Sequence, residues 1–455
     1  MFLNFQMNIY KVTQHLQTNK HKENKNRKLK FKQNFLSSTS SSVSNTFNID
    51  LCQAFIKADI PLAKLQNSNL KSFLEKYAAQ SIPDESTLRK NYIQPIYQET
   101  LVSIRNSIGD GPILVSIDET TDVDGRFIAN IIIGKLNDSK SQPFLLNCEQ
   151  LDKCNHQTVA RFFNNSMSIL WPDIVTHENV LLFVSDAASY IIKAGKALNA
   201  FFPKMIHLTC LAHAFHRIAE TIRSKFTKVD ELISSVKKIF LKAPSRIEIF
   251  KNMYPDLSLP PQPIATRWGT WLNAANYYCQ NFQQIKNVVA ELDATTSMYI
   301  EKAEILFENN DLKNELINIS VNYYFLVDVI TKLETRDLTL VESLSVVEEA
   351  VKRLEKVQGP IGDIVNAKVK NVLQKNSGLA EMKAIKSILT GISSEVSLDV
   401  ELSPSDIVNM QYCPITSVEV DRSFSRYKSI LRHNRRSFEF ENLKMHVIIN
   451  CNQDN

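Results

Sequence analysis

Residues 113–122, Ile-Leu-Val-Ser-Ile-Asp-Glu-Thr-Thr-Asp, constrain the fold more than any other stretch. Ile113, Val115 and Ile117 alternate with Leu114, Ser116 and Asp118, the side-chain period of a β-strand. The apolar run closes on a carboxylate, which places Asp118 at a strand's rim. Val180-Leu-Leu-Phe-Val-Ser-Asp186 repeats the arrangement. If the two strands are neighbours, Asp118 and Asp186 lie side by side. Paired carboxylates at strand ends are hard oxygen ligands, and phosphoryl transfer on two divalent ions needs such ligands around metals roughly 3.5–4 Å apart. Two ordinary turn-capping aspartates would leave the same pattern.

The neighbouring chain extends this reading. Phe127–Leu136 and Phe144–Leu151 are further apolar runs, and the turn-like 122–125 and 137–141 predict an antiparallel meander with the first strand. Thr158–Leu170 has helical periodicity, with Val159, Phe162, Phe163 and Met167 inward. After the 180–186 strand come a helix over Ala187–Ala200, a fifth strand at Met205–Cys210 and a helix from Ala212 to Phe226. Three strands, helix, strand, helix, strand, helix is the order of a ribonuclease-H-like sheet, in which the first strand pairs with the fourth. From 227 to about 405 strand signals vanish, and Leu312–Leu333 and Leu340–Leu354 carry long helical periodicity. Leu379–Val400 reads as a polar connection.

The expected fold is therefore an α/β ribonuclease-H-like core with a mixed five-stranded sheet, interrupted by a large all-α insertion and flanked by helical segments. The expected boundaries are a basic arm and Ser-rich linker over 1–49, a small helical module over 50–112, the core over 113–226, the all-α insertion over 227–405 and C-terminal helices over 406–455. At 455 residues, with 44% hydrophobic and 22% charged residues, the chain can bury a large core without disulfides or structural metal.

Charge is unevenly placed. Residues 1–32 hold eight Lys/Arg and one Glu, while the whole chain has a net charge of +5. A basic arm on a near-neutral body suits an acidic partner such as nucleic acid, and equally a solvated tail. His15 and His21 have the spacing of half a zinc-finger ligand set, but no cysteine precedes Cys52, so zinc is not expected in this chain. The seven cysteines are scattered, odd in number and without Cys-x-x-Cys, as expected in a reducing compartment. No uncharged run approaches a membrane span in length, so a cytosolic or nuclear protein is expected.

The C-terminal block is helical again. Thr416-x-x-Glu419 has the form of a capping box, and Val420, Phe424, Tyr427 and Leu431 share one face. Glu419 and Asp421 stand about 200° apart on a helix and cannot serve one site. With Glu419 reaching back to cap, Asp421 is the candidate for chemistry. Between 420 and 436 six Lys/Arg stand against one acid, enough for a phosphate-contacting surface. Phe424, Tyr427 and Leu431, with Leu443, Val447 and Ile448, form short apolar helix faces that must be covered, by their own core or by a second copy of the chain.

Several ordered blocks resemble the hAT superfamily of DNA transposases: Ser116-Ile-Asp-Glu-Thr-Thr-Asp122, Val184-Ser-Asp186, Cys210-Leu-Ala-His213, Thr266-Arg-Trp268 and Pro414–Ser425. The half finger and basic tail resemble the N-terminus of proteins related to the CGG-triplet-repeat-binding protein. The resemblance implies a nuclear, DNA-binding protein with an Asp-Asp-Glu triad for Mg²⁺ or Mn²⁺. The first two members fall on Asp118 and Asp186. The third is the Glu of a Ser-Glu-Arg-x-Phe-Ser motif, and this chain has Asp421 there, one methylene shorter. The resemblance also implies a C-terminal dimerisation region and a DNA-stacking role for Trp268. Arg267, Arg422, Lys428, Arg432, Arg435 and Arg436 are the candidate DNA-contacting cations. Cys210 and His213 match the family's Cys-x-x-His and are read as packing near the core. Two functions stay open: a metal-dependent nuclease and strand-transferase, or a transposase-derived factor that binds DNA and dimerises without cleaving it.

Overall fold

The computed structural model describes residues 40–455 except 141, 265, 266, 268, 337, 393–397, 433–437 and 453–455; of 40–44 it describes only the helical backbone. His15, His21, Trp268, Arg435 and Arg436 lie outside the described residues.

The chain divides into two compact units. The first comprises Met1–Ile56 and Ile60–Ile93, the second Lys57–Asp59 and Gln94–Asn455. In the first, α1 (Ser40–Lys57), α2 (Ser68–Ala78) and α3 (Glu85–Asn91) are joined through a short 3-10 turn at Leu62–Gln66. The serine stretch over 37–44, expected as a linker, is helical from Ser40. Serine costs only a few tenths of a kcal/mol against alanine in a helix, and Leu51, Cys52, Phe55 and Ile56 supply a buried face. The Asn67 side chain caps α2 by accepting from Leu70 N–H at 3.1 Å. Asn48 donates to the Tyr92 hydroxyl at 3.0 Å, linking α1 to the end of α3.

The second unit opens with α4 (Ile93–Ile108), then β1 (Ile113–Thr121), β2 (Phe127–Lys135), β3 (Pro143–Leu151), α5 (His156–Leu170), β4 (Val180–Ser185), α6 (Ser189–Leu198), β5 (Ile206–Thr209) and α7 (Leu211–Arg223). The five strands form one mixed sheet in the order β3-β2-β1-β4-β5. β1 runs antiparallel to β2 and parallel to β4, with Ile117 opposite Ser185. That register sets Asp118 beside Asp186 where the β1–β4 pairing ends, while β1 itself continues to Thr121 against β2, so Asp118 lies within its strand and not at the rim expected from sequence. β1 neighbours β4 because its first five residues, all buried, need cover on both sides, and parallel strands with helical crossovers supply it.

Between β5 and the C-terminus the described residues contain only helices: α8 (Thr227–Phe240), α9 (Pro244–Met253), α10 (Gly269–Gln280), α11 (Phe282–Ala290), α12 (Met298–Phe307), α13 (Asn310–Asn322), α14 (Leu326–Leu333), α15 (Leu340–Glu355), α16 (Pro360–Gln374), α17 (Gly378–Leu389) and α18 (Pro404–Asn409), then α19 (Val418–Ile430) and α20 (Phe440–Cys451). The expected long helix over 312–333 is two helices, α13 and α14. The segment 379–400, read as a connection, begins with α17. Leu379, Met382 and Ile385 are buried there, a stripe at i, i+3, i+6 that the polar residues between them obscured. Trp271 is core, and its indole N–H donates to Asp230 at 3.0 Å.

Both open edges of the sheet are closed by an asparagine. Asn452, just past α20, accepts from Leu145 N–H and donates to Leu145 C=O, each at 3.0 Å, on edge strand β3. Asn376, just past α16, treats Thr209 of β5 the same way, at 3.0 and 2.8 Å. A side-chain amide carries the donor and acceptor of a peptide group, so each acts as one residue of a missing strand. β5 is approached closely on a further side: a Cβ on Gly378 would lie 2.4 Å from the His207 carbonyl oxygen, so only glycine fits there.

The C-terminal helices cover the sheet of their own chain. Phe424, Tyr427, Leu431, Leu443, Val447 and Ile448 are all buried, with α19 against β1, β2 and β3 and α20 against β3. The apolar faces that raised the expectation of a second copy are thus satisfied internally.

Candidate functional site

Three side chains from distant parts of the sequence meet beside β1, where its pairing with β4 ends. Donor atoms of Asp118 (β1), His213 (α7) and Asp421 (α19) all lie within 4.8 Å of one another. Asp186 follows β4 next door and stands outside that set. Its Oδ1 accepts from Ala188 N–H at 2.9 Å, and its charge helps raise the pKa of both Asp118 and Glu119. The structure therefore brings Asp118 and Asp421 together, with Asp186 alongside, and adds His213.

The rotation of α19 decides which acid faces inward. Glu419 was expected to cap the helix and does not: the helix starts at Val418, and Ser417 at the N-cap makes no side-chain cap bond. Instead Arg336 donates to both Glu419 carboxylate oxygens, at 2.8 and 2.7 Å, and Arg422 pairs with the same group. Arg422 also donates to the Glu334 carbonyl at 2.9 Å. A bidentate guanidinium outcompetes one backbone N–H for a carboxylate. With Glu419 held sideways, Asp421 turns to the sheet. Thr416 bonds to the Leu333 carbonyl at 3.4 Å.

The electrostatics follow from burial and crowding. Burial pushes the Asp118 carboxyl well above the usual range; His213 opposes this, while Asp186, Asp421 and Glu119 add to it. His213 is raised to about 10, chiefly by the charge of Cys210, against its own burial and with help from a Cys210 hydrogen bond, Asp118 and Asp421. Burial would raise the Cys210 thiol, but the charge and hydrogen bonds of His213 and the bond from Ser417 outweigh it and hold it below the ordinary value. Ser417 N–H donates to Cys210 Sγ at 3.3 Å, and the Ser417 hydroxyl lies 3.5 Å from His213 Nδ1. The thiol and acids around His213 thus favour the protonated form of its ring. Sequence reading placed Cys210 and His213 near the core; their place beside the acids follows from α7 starting directly after β5, with Cys210 at its N-cap position.

Asn130 was missed. It is wholly buried and stands directly opposite Asp118 in the β1–β2 register. Its Nδ2 donates to Ser423 Oγ at 2.7 Å, and its Oδ1 has no hydrogen-bond partner. Asp122, in the same motif as Asp118, has a structural role. It accepts from Arg126 Nε at 2.7 Å and the Tyr427 hydroxyl at 3.0 Å, tying the β1–β2 turn to α19. On the other face of β1, Tyr190 donates to Glu119. Of the candidate DNA-contacting cations, Arg267, Lys428 and Arg432 are exposed and Arg422 is half-buried in its ion pairs.

Residues 83–239 match the family model described as Domain of unknown function (DUF659), and residues 38–94 match the CGGBP1 helical domain. No curated protein matches the chain. DUF659 occurs in hAT-family transposase-like proteins. With a CGGBP1 helical domain leading into DUF659, residues 38–239 are similar to hAT-family transposase-like proteins and to a CGG-repeat-binding-protein-like N-terminal region.

Proposed function

We propose that this is a nuclear, DNA-binding protein derived from a hAT transposase, built on a ribonuclease-H-like core, whose Asp118, Asp186 and Asp421 hold Mg²⁺ or Mn²⁺ for DNA cleavage and strand transfer. The observation that carries this is the meeting of Asp118 from β1 and Asp421 from α19, beside Asp186 at the end of β4. The order β3-β2-β1-β4-β5, with two parallel pairs, β1–β4 and β4–β5, suits such a core. The donor set fits a divalent ion: the ligands are hard carboxylates, and a buried amide oxygen of Asn130 without a hydrogen-bond partner stands opposite Asp118. A bound ion would supply Lewis acidity for a phosphodiester and activate an attacking hydroxyl. The chain's own groups orient it, through the Arg336–Glu419 pair that fixes the face of α19. Arg267, Lys428 and Arg432 present charge to a phosphate backbone; removing any one should weaken DNA binding across sequences and lower the salt slope by about 1.

A second reading keeps DNA binding and homodimerisation without cleavage, as in a factor retained by its host. It is favoured by Asp421, whose side chain is one methylene shorter than the Glu of the family motif. The test is cleavage of DNA carrying element ends, with Mg²⁺ or Mn²⁺, by wild type and Asp118→Ala. Metal-dependent nicking lost in the variant supports the enzyme. Equal DNA binding by both proteins with no nicking by either leaves the binding factor.

A further inference from the structure

The donors that meet at β1 are two carboxylates and an imidazole. His213 comes from α7, an element that contributes no acid to the site, yet its ring nitrogen lies within 4.8 Å of the carboxylate oxygens of both Asp118 and Asp421. Three evenly spaced donors around one ion with bonds of roughly 2.0–2.2 Å lie at most about 3.8 Å apart, so from separations within 4.8 Å closing on an ion needs movements of roughly half an ångström per donor. The ring is held by outer partners, the Ser417 hydroxyl at 3.5 Å and Cys210, whose own sulfur accepts from Ser417 N–H. Such outer bonds are what orients a ligating histidine. Asn130 is an independent pointer. It is 0% exposed, opposite Asp118, with its amide nitrogen used on Ser423 two residues beyond Asp421 and its oxygen unpaired.

We propose that His213 is itself a metal ligand, and that Asp118, His213 and Asp421 form a one-nitrogen, two-carboxylate site that selects a first-row transition ion over Mg²⁺. The inference rests on Asp118 and Asp421 being ligands, as in the reading above, and adds the nitrogen. Carboxylates alone suit Mg²⁺, Ca²⁺ and Mn²⁺; an imidazole shifts preference along the series toward Co²⁺ and Zn²⁺. A bound cation would take over the counter-ion role that the His213 ring plays without it. Asp186 stands outside the set of three but beside Asp118 at the end of β4, where it can still join the ion's ligands.

The test uses the full chain and metal alone. Pulsed electron paramagnetic resonance of bound Mn²⁺ should show coupling to a ¹⁴N nucleus in wild type. His213→Gln should lose that coupling and bind Co²⁺, followed by visible absorption, about tenfold or more weakly. Competition by Mg²⁺ should change much less. Absence of ¹⁴N coupling in the wild-type protein, or its survival in His213→Gln, overturns the assignment; the wild-type spectrum decides even if the variant folds poorly. Cleavage with Mg²⁺ that depends on Asp118, in a protein whose Mn²⁺ shows no nitrogen, would sink this inference and leave the nuclease reading standing.

Discussion

At the residue scale, His213 links charge to stability. Its pKa rises from the ordinary 6.5 to about 10 in the folded chain, first through Cys210. A folded pKa above the unfolded one stabilises at low pH. The contribution is complete below about 6.5 and is lost as pH climbs through about 10. Cys210→Ser removes the largest cause and leaves Asp118 and Asp421, so the decline should move to lower pH. Thermal midpoints of wild type and variant, measured from near-neutral to alkaline pH, check this; superimposable profiles would mean that Cys210 does not hold the histidine charged. Legibility at this scale was uneven. Asp118 and Asp186 were readable as neighbours because each follows an apolar strand run, although Asp118 is not at a strand terminus: β1 continues to Thr121 and pairs with β2 beyond it. Asp421 needed a helix-phase argument that gave the right face for the wrong reason: Glu419 is turned away by Arg336, a residue 83 positions upstream. No local pattern encodes a partner that distant. The same holds for Asn130 and Ser423, 293 positions apart.

At the scale of elements, sheet edges make the sharpest prediction. Asn452 and Asn376 each satisfy a backbone N–H and C=O on an edge strand. Both side chains are nearly buried, at 7% and 5% exposure, so water cannot easily replace them. Asn452→Ala should cost about 1–3 kcal/mol, the desolvation of unpaired buried groups, and Asn376→Ala a similar amount. The urea midpoint should fall in each, and the exposed edge should raise aggregation at equal unfolded fraction. A midpoint shift below about half a kcal/mol would show the amides to be incidental. The strands themselves were legible within a residue or two, because period-two patterns and turn residues are local. Their closure was not, since an asparagine after a helix is also what an ordinary C-cap looks like. The helix at α17 was lost for a related reason: Ser and Glu around its buried stripe imitate a loop.

For the whole molecule, family boundaries and physical boundaries differ, and the difference can be tested. The CGGBP1 helical match ends at residue 94, where the first compact unit ends at Ile93. The DUF659 match ends at 239, inside α8, but the sheet it contains is unfinished there. Asn130 still needs Ser423, Asp122 needs Tyr427, Leu145 needs Asn452 and Thr209 needs Asn376. The apolar face over β1, β2 and β3 is covered by α19 and α20, with Phe424, Tyr427, Val447 and Ile448 buried. Burying one such side chain contributes roughly 1.5–3 kcal/mol, so losing the four together is comparable to the roughly 5–15 kcal/mol that separates folded from unfolded domains. A chain ending at 412 should therefore fail to fold cooperatively, whatever its oligomeric state. Residues 413–455 supplied as a separate chain should restore a cooperative melt, because the missing surface is a continuous pair of helices. Calorimetry on the truncated chain with and without the fragment makes the comparison. A truncated chain that melts cooperatively alone would mean that α19 and α20 are dispensable to the sheet, and would return those apolar faces to the role of an interface between copies.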